Sequence, residues 1–178
     1  MTNAEFAILS LIVEKARHGY EIEQVLAERG MREWTEVGFS SIYYLLKKLE
    51  KEALITHQME APAGRGPARK VYHVTAEGRQ QACQEATLAA LATPHRCYPP
   101  IQLGLANLPL VSHAEAIAAL GEHQAALSQR HTQILHLRET QRPLPYFVEA
   151  MFDHSLTMIQ AEQDWLNKLV RELENHNV

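Results

Sequence analysis

Nine side chains between residues 40 and 70 share one kind of chemistry: Ser40, Ser41, Tyr44, Lys47, Lys48 and Lys51, then Arg65, Arg69 and Lys70. Their hydroxyl, ammonium and guanidinium groups donate hydrogen bonds, and donors in series suit the phosphates of a polyanion. On a helix beginning near Ser40 the short polar groups come first, where free backbone N–H groups already attract negative charge. The lysines follow, placed to reach a phosphate backbone. The last three cations surround a tip reading A-G-R-G-P-A-R-K. Arg65 at its apex, and Arg69 with Lys70 at its base, suit entry into a minor groove or a clamp on phosphates.

Positioning these groups requires a helix and a hairpin, and the surrounding residues supply both. Ile42, Leu45, Leu46, Leu49 and Ala53 recur at i, i+3, i+4, i+7 and i+11, an apolar face opposite the lysines. Adjacent helix positions point about 100° apart, so only one of Tyr43 and Tyr44 shares the lysine face. Tyr44 is assigned to it and Tyr43 to packing, with both rings bridging core and surface as the alternative. Leu54 to Met59 and Lys70 to Val74 read as short strands around a tip containing Pro62, Gly64, Gly66 and Pro67, a hairpin with a long loop.

Upstream, Thr2 and Glu5 form a capping box that opens a first helix through Phe6, Leu9, Ile12 and Val13 to about Ala16. His18-Gly19 stops it. Tyr20, Ile22, Val25 and Leu26 give a second helix that closes at Gly30. Downstream, Thr75 is expected to cap a fourth helix running to about Ala92. The fold class is therefore mainly α with a small β-hairpin wing: an N-terminal winged helix-turn-helix over residues 1–92 and a C-terminal helical dimerisation domain over residues 93–178.

The formal net charge of −4 and pI near 6.2 oppose nucleic-acid binding when taken as averages, but the charges are segregated. Residues 40–79 hold seven Lys/Arg against four Asp/Glu, a net of +3, while residues 93–178 carry a net of −3. A local basic patch suffices for phosphate contact. No run of 18 apolar residues occurs and the N-terminus M-T-N-A-E-F lacks the layout of a secretion signal, so no membrane partner is expected and a cytoplasmic location is the default expectation.

No G-x-S-x-G, P-loop or dinucleotide fingerprint is present, and no nucleophile has a suggestive base nearby in sequence; an enzyme is not expected. Ten histidines include His131 and His136, but a spacing of five fits one helix face poorly, so neither a metal site nor a cofactor is expected. Cys83 and Cys97 lack C-x-x-C spacing and read as reduced thiols.

In the C-terminal half, T-P-H-R-C-Y-P-P from Thr93 breaks the helix before it, and a short helix falls within Ile101 to Leu110. Ser112 with Glu115 is a second capping box, opening a long helix through Leu120, Leu127 and Ile134. A last helix begins at Pro145 and carries two apolar stripes. One runs through Phe147, Met151, Met158, Trp165 and Leu169; the other through Val148, Phe152, Leu156, Ile159, Leu166 and Val170. One stripe meets the preceding helix and the second needs a partner, of which another copy of the chain is the simplest. Phe152, Leu156, Ile159, Trp165, Leu166 and Leu169 are the dimerisation candidates.

The stretch S-S-I-Y-Y-L-L-K-K-L-E-K-E-A-L-I followed by R-K-V-Y-H-V-T-A-E-G-R, with A-I-L-S-L-I and H-G-Y-E-I before it, resembles the PadR family of bacterial transcriptional regulators. The resemblance covers about residues 4–92, and W-L-N-K-L near Trp165 looks like the helical dimerisation region of the longer members. Ala53 departs from it, standing where the family usually has glycine; since alanine prolongs a helix readily, little change is expected. The resemblance implies a homodimeric repressor released by a small aromatic or hydrophobic effector, with a phenolic compound among the expected ligands; two-fold symmetry of such a dimer implies a palindromic double-stranded operator. Tyr98, Phe147 and Met151 are the residues assigned to line an effector pocket. A second reading stays open, a winged helix serving as a protein-binding adaptor without sequence-specific DNA binding.

Overall fold

Apolar positions from the first three helices and the first hairpin strand close on one another into a single core. The computed structural model describes residues 1–35, 37–38, 41–61, 68–94 and 99–175, without the side chains of Glu33, Gln80 and Gln81. The chain divides into two compact units, Met1–Arg96 and Cys97–Val178.

In the first unit, α1 (Asn3–Glu14) opens on the expected capping box, with Glu5 N–H donating to Thr2 Oγ1 at 3.2 Å and Thr2 N–H to Glu5 Oε2 at 2.8 Å. Arg17 and His18 then form a two-residue strand, β1 (Arg17–His18), before α2 (Gly19–Glu28). His18 therefore begins the second helix as well as ending the approach from the first: Glu21 N–H donates to His18 Nδ1 at 3.2 Å and His18 N–H to Glu21 Oε2 at 3.0 Å. After the short 3-10 turn Met31–Glu33 comes α3 (Ile42–Lys51), then β2 (Ile55–Glu60) and β3 (Arg69–Val74).

β2 and β3 pair antiparallel from Ile55 opposite Val74 to Glu60 opposite Arg69, and β1 adds to the far edge of β3 with Arg17 opposite Tyr72. The wing is thus part of a three-stranded sheet in the order β1-β3-β2 rather than a bare hairpin. Ile8, Leu9 and Ile12 of α1, Ile22 and Leu26 of α2, Ile42, Leu46 and Leu49 of α3 and Ile55 of β2 are fully buried together. At about 1.5–3 kcal/mol for each such side chain, this burial dominates the stability of the unit, and the surface ion pairs orient rather than hold it.

Ala53 does not prolong α3. It takes φ 59°, and the helix ends in a Schellman arrangement, with Leu54 N–H donating to Leu49 O and Ala53 N–H to Glu50 O, both at 3.0 Å. The position needs the left-handed conformation for which glycine is suited, so the alanine carries strain. Downstream, Thr75 Oγ1 accepts from Gly78 N–H at 2.9 Å, but the segment it starts is a π-helical turn, Gly78–Cys83, which leads into α4 (Gln84–Ala92). A β-carbon on Gly78 would lie 2.0 Å from the Leu54 carbonyl oxygen, so this helix start packs directly on backbone. Cys83 packs half-buried against the core, and burial pushes its thiol pKa up.

The second unit contains α5 (Pro100–Ala106), the 3-10 turn Leu108–Leu110, α6 (His113–Thr140) and α7 (Tyr146–Asn175). Ser112 and Glu115 cap α6 reciprocally, as expected. α6 and α7 form an antiparallel pair: Gln124 bonds Asn167 at 2.8 Å, Gln163 bonds Ser128 at 3.1 Å and Arg138 Nε donates to Glu149 at 2.8 Å. Leu120 and Leu127 face Ile159 and Leu166, each pair seven residues apart, with Ile134 and Leu173 extending the seam. No helix among the described residues is long and apolar enough to cross a membrane.

Candidate nucleic-acid interface

α3 is turned so that Ile42, Leu45, Leu46 and Leu49 are buried and Tyr44, Lys47 and Lys51 are exposed. Tyr44 is 67% exposed and Tyr43 is 59% exposed. The two differ in what they rest on, because the ring of Tyr43 lies against the backbone of Gly19 at the start of α2. Among the described residues Lys47 and Lys51 pair with no carboxylate, and they stand one turn apart on the outward face.

The remaining positions of the basic set are placed less uniformly. Ser41 precedes α3 and its hydroxyl donates to Gly38 O at 2.8 Å, so it shapes the turn and does not cap the helix. Lys48 lies on the flank facing α1, where its ammonium bonds the carboxylate of Glu5 and stands 3.9 Å from Glu52. That hydrogen bond holds the Glu5 carboxyl below the usual carboxylate range and raises the Lys48 ammonium pKa. Glu50, on the opposite flank, bonds His57 of β2. Arg69 and Lys70 open β3 and are both exposed, with Glu60 and Met59 as their cross-strand partners. Ser40 and Arg65 lie outside the described residues, as does Tyr98.

The exposed set therefore consists of one phenol and two ammonium groups on a helix, and one guanidinium and one ammonium at the base of a hairpin. Such an array suits anions spaced along a polymer. No group of three or more His, Cys, Asp or Glu that could hold a metal ion occurs among the described residues.

On α7 the two apolar stripes separate. Ile159 and Leu166 are buried against α6 within one chain, so these two dimerisation candidates are already covered by α6, and Leu169 packs half-buried beside them. The reason is the seven-residue register of the α6–α7 seam, which selects the stripe through Ile159 and Leu166. Phe152 and Leu156 are half-buried, whereas Phe147, Met151, Met158 and Trp165 remain exposed at 67, 42, 54 and 42%.

Residues 8–84 match the model of the Transcriptional regulator PadR-like family. That segment belongs to the PadR-like family. It runs from within α1 through α2, α3, both strands of the wing and the π-helical turn, so the exposed array described above lies wholly on PadR-like elements. Among curated proteins none matches the chain.

Solved structures share the fold over nearly the whole length. Bacillus subtilis PadR in complex with operator DNA superposes with a TM-score of 0.77 at 20% identity, over 95% of this chain and 98% of that one. The same protein in complex with p-coumaric acid gives 0.78 at 19% identity, over 96 and 98%. The Vibrio cholerae virulence activator AphA gives 0.72 at 16% identity, over 97 and 98%. At these identities the likeness is one of fold, and it extends beyond the PadR-like segment into the C-terminal helices.

Proposed function

We propose that the chain is a homodimeric, sequence-specific DNA-binding regulator that places α3 in the major groove and the wing against the adjacent backbone or minor groove. The observation that carries this reading is the exposure of Tyr44, Lys47 and Lys51 on the outward face of α3 and of Arg69 and Lys70 at the start of β3, all within the PadR-like segment. Lysines and the wing cations supply phosphate contact; Tyr44, with Ser40 and Ser41 ahead of it, supplies contact near base edges. Arg65 at the wing tip is proposed to join them. Residues 1–92 would act as the DNA-binding domain and residues 93–178 as the dimerisation domain, in the cytoplasm.

The exposed stripe Phe147, Met151, Met158 and Trp165 on α7 supports dimerisation, since apolar side chains of this size in a row need a partner surface. A two-fold dimer then requires a palindromic operator with half-sites about one helical turn, or a multiple of it, apart. Repression released by a small aromatic effector is the regulatory reading; the p-coumaric acid complex of Bacillus subtilis PadR supports that ligand class. Phe147 and Met151 belong to the same exposed stripe and serve the dimer or the effector, while Tyr98 is kept as an effector candidate from sequence alone.

The test is selection of duplexes from a randomised pool by the purified protein, followed by gel shift on the selected sequence with and without phenolic acids. A palindromic consensus with dimer stoichiometry supports the reading. Recovery of no consensus, together with no salt-dependent retention on nonspecific DNA, favours a protein-binding adaptor instead.

A further inference from the structure

One lysine of α3 is already bonded within the winged unit, although its side chain is 38% exposed. Lys48 Nζ is bonded by Oε1 of Glu5, and Glu5 is only 3% exposed. The other oxygen of that carboxylate accepts the Thr2 N–H at 2.8 Å, so both oxygens are committed. A phosphate that drew the ammonium away would strand a buried carboxylate without its cation, a costly arrangement where water cannot compensate. Lys47 and Lys51 face no such conflict.

The placement of Lys48 also answers a mechanical need. Apolar burial of Ile42, Leu45, Leu46 and Leu49 fixes which side of α3 faces inward, but it is non-directional and tolerates a small rotation of the helix about its axis. Charged hydrogen bonds are directional. α3 carries one on each flank, Lys48 to Glu5 of α1 and Glu50 to His57 of β2. Between these two ties the rotation is fixed, and with it the sideways position of Tyr44, Lys47 and Lys51. Base contacts hold only within hydrogen-bond distance, so a small rotation removes them while flexible lysines still reach phosphate.

We propose that the Glu5–Lys48 pair is a positioning device for the DNA-reading face: Lys48 sets the rotation of α3 from its α1 flank and contacts no phosphate. The inference rests on the DNA-binding reading above and reassigns Lys48 from the phosphate ligands expected from sequence. Sequence spacing groups Lys48 with Lys47 and Lys51, and only the buried carboxylate across from it separates them.

The probes are a duplex selected from a randomised pool by the wild-type protein and a nonspecific duplex of equal length. Circular dichroism confirms that each variant is folded at the assay temperature. Lys48→Met is expected to lose about tenfold or more in affinity for the selected duplex, the scale of one base contact. Its affinity for the nonspecific duplex, and its salt slope, should stay at the wild-type values. Glu5→Gln should lose the same selectivity, the double variant should lose no more than either single one, and Lys48→Arg should keep it. Should Lys48→Met not fold, Glu5→Gln gives the same discrimination.

A salt slope flattened by about one unit in Lys48→Met, with both affinities lowered, would make Lys48 a phosphate ligand and overturn the inference. So would tighter binding by Glu5→Gln, which frees the ammonium. A lowered melting temperature with both affinities and the slope unchanged would reduce the pair to a structural tie and overturn it as well. If the wild type selects no duplex, the DNA-binding reading fails and this inference falls with it, a result distinct from failure of the variants alone.

Discussion

The ring of Tyr43 rests on the bare backbone of Gly19, so closely that a β-carbon at Gly19 would stand 2.7 Å from Cε1 of the ring. This contact joins the first turn of α2 to α3. Alanine at position 19 has two opposing effects: it favours the helix by up to about 1 kcal/mol, and it forces the ring to move. Gly19→Ala should therefore change stability little in the wild-type background. In a Tyr43→Ala background the obstruction is gone, and the same substitution should stabilise by most of that amount. Denaturant unfolding of the four proteins of this cycle measures the coupling; additive effects would show that the ring yields freely.

Ala53 gives a second stability prediction, of opposite sign to the usual rule that glycine weakens helices. Its φ of 59° costs an alanine roughly 1–2 kcal/mol, and the greater freedom of glycine in the unfolded chain returns part of that. Ala53→Gly should raise the stability of the winged unit by about 1 kcal/mol, and Ala53→Val should lower it. Thermal unfolding followed by circular dichroism reads both. A destabilising glycine would mean that the Schellman turn between Leu49 and Leu54 does not form in solution.

That position also marks where sequence reasoning stops. The helical period of Ile42, Leu45, Leu46 and Leu49 determined the inward face of α3 from sequence, because burial follows spacing. Capping boxes at Thr2 and Ser112 were equally legible, since both use side chains with strong local preferences. The histidine cap of α2 was not, because imidazole is no usual cap, and the two residues of β1 are too few to alternate. Whether Ala53 extends or ends a helix depends on Leu54 and Thr75 across the turn. The pairing of Lys48 depends on Glu5, 43 positions away in the chain. Competition between two apolar stripes on α7 was visible, but which one faces α6 is decided by seven-residue register across two helices.

The outward lysines of α3 have a quantitative signature. Each phosphate neutralised releases counterions, so Lys47→Ala and Lys51→Ala should each flatten the dependence of log affinity on log salt by about one unit. Both should weaken binding to selected and nonspecific duplexes alike, which separates them from Tyr44→Phe, expected to act chiefly on the selected duplex. Gel shifts over a salt series provide the slopes. Unchanged slopes for both lysines would remove the outward face of α3 from contact with the backbone.

Acid should act on the winged unit through Glu14. Arg29 donates to both its oxygens, at 2.8 and 2.9 Å, and Arg17 donates to one at 3.1 Å, which holds the carboxyl below its ordinary value. A depressed folded pKa contributes stability above the unfolded value, about 4.3 for glutamate, and that contribution is lost as pH falls through the folded one. Glu14 and Arg29 are nearly half exposed, so screening keeps the effect to about 1 kcal/mol or less. Glu14→Gln should be less stable than wild type near neutral pH, with the gap closing as pH falls from the unfolded value through the folded one and smaller in high salt. A gap that persists in acid would assign the loss to packing.

The two stripes of α7 make opposite predictions for neighbouring residues. Leu166 is fully buried against Leu120 and Leu127 within one chain, so Leu166→Ala should cost about 2–5 kcal/mol of stability in the C-terminal unit. Trp165 is 42% exposed and lies with Phe147, Met151 and Met158 on the face proposed for the partner protomer. Trp165→Glu places a charge on that face without touching the α6–α7 seam, and should yield a folded monomer by sedimentation with wild-type helical content. Loss of the dimer should in turn weaken binding to a palindromic duplex far more than to a single half-site, because the two half-sites no longer act as one. If Trp165→Glu sediments as the wild-type dimer does, the exposed stripe is not the protomer interface. If Leu166→Ala instead dissociates without unfolding, the stripe assigned to the interior of the chain is the one that joins two chains.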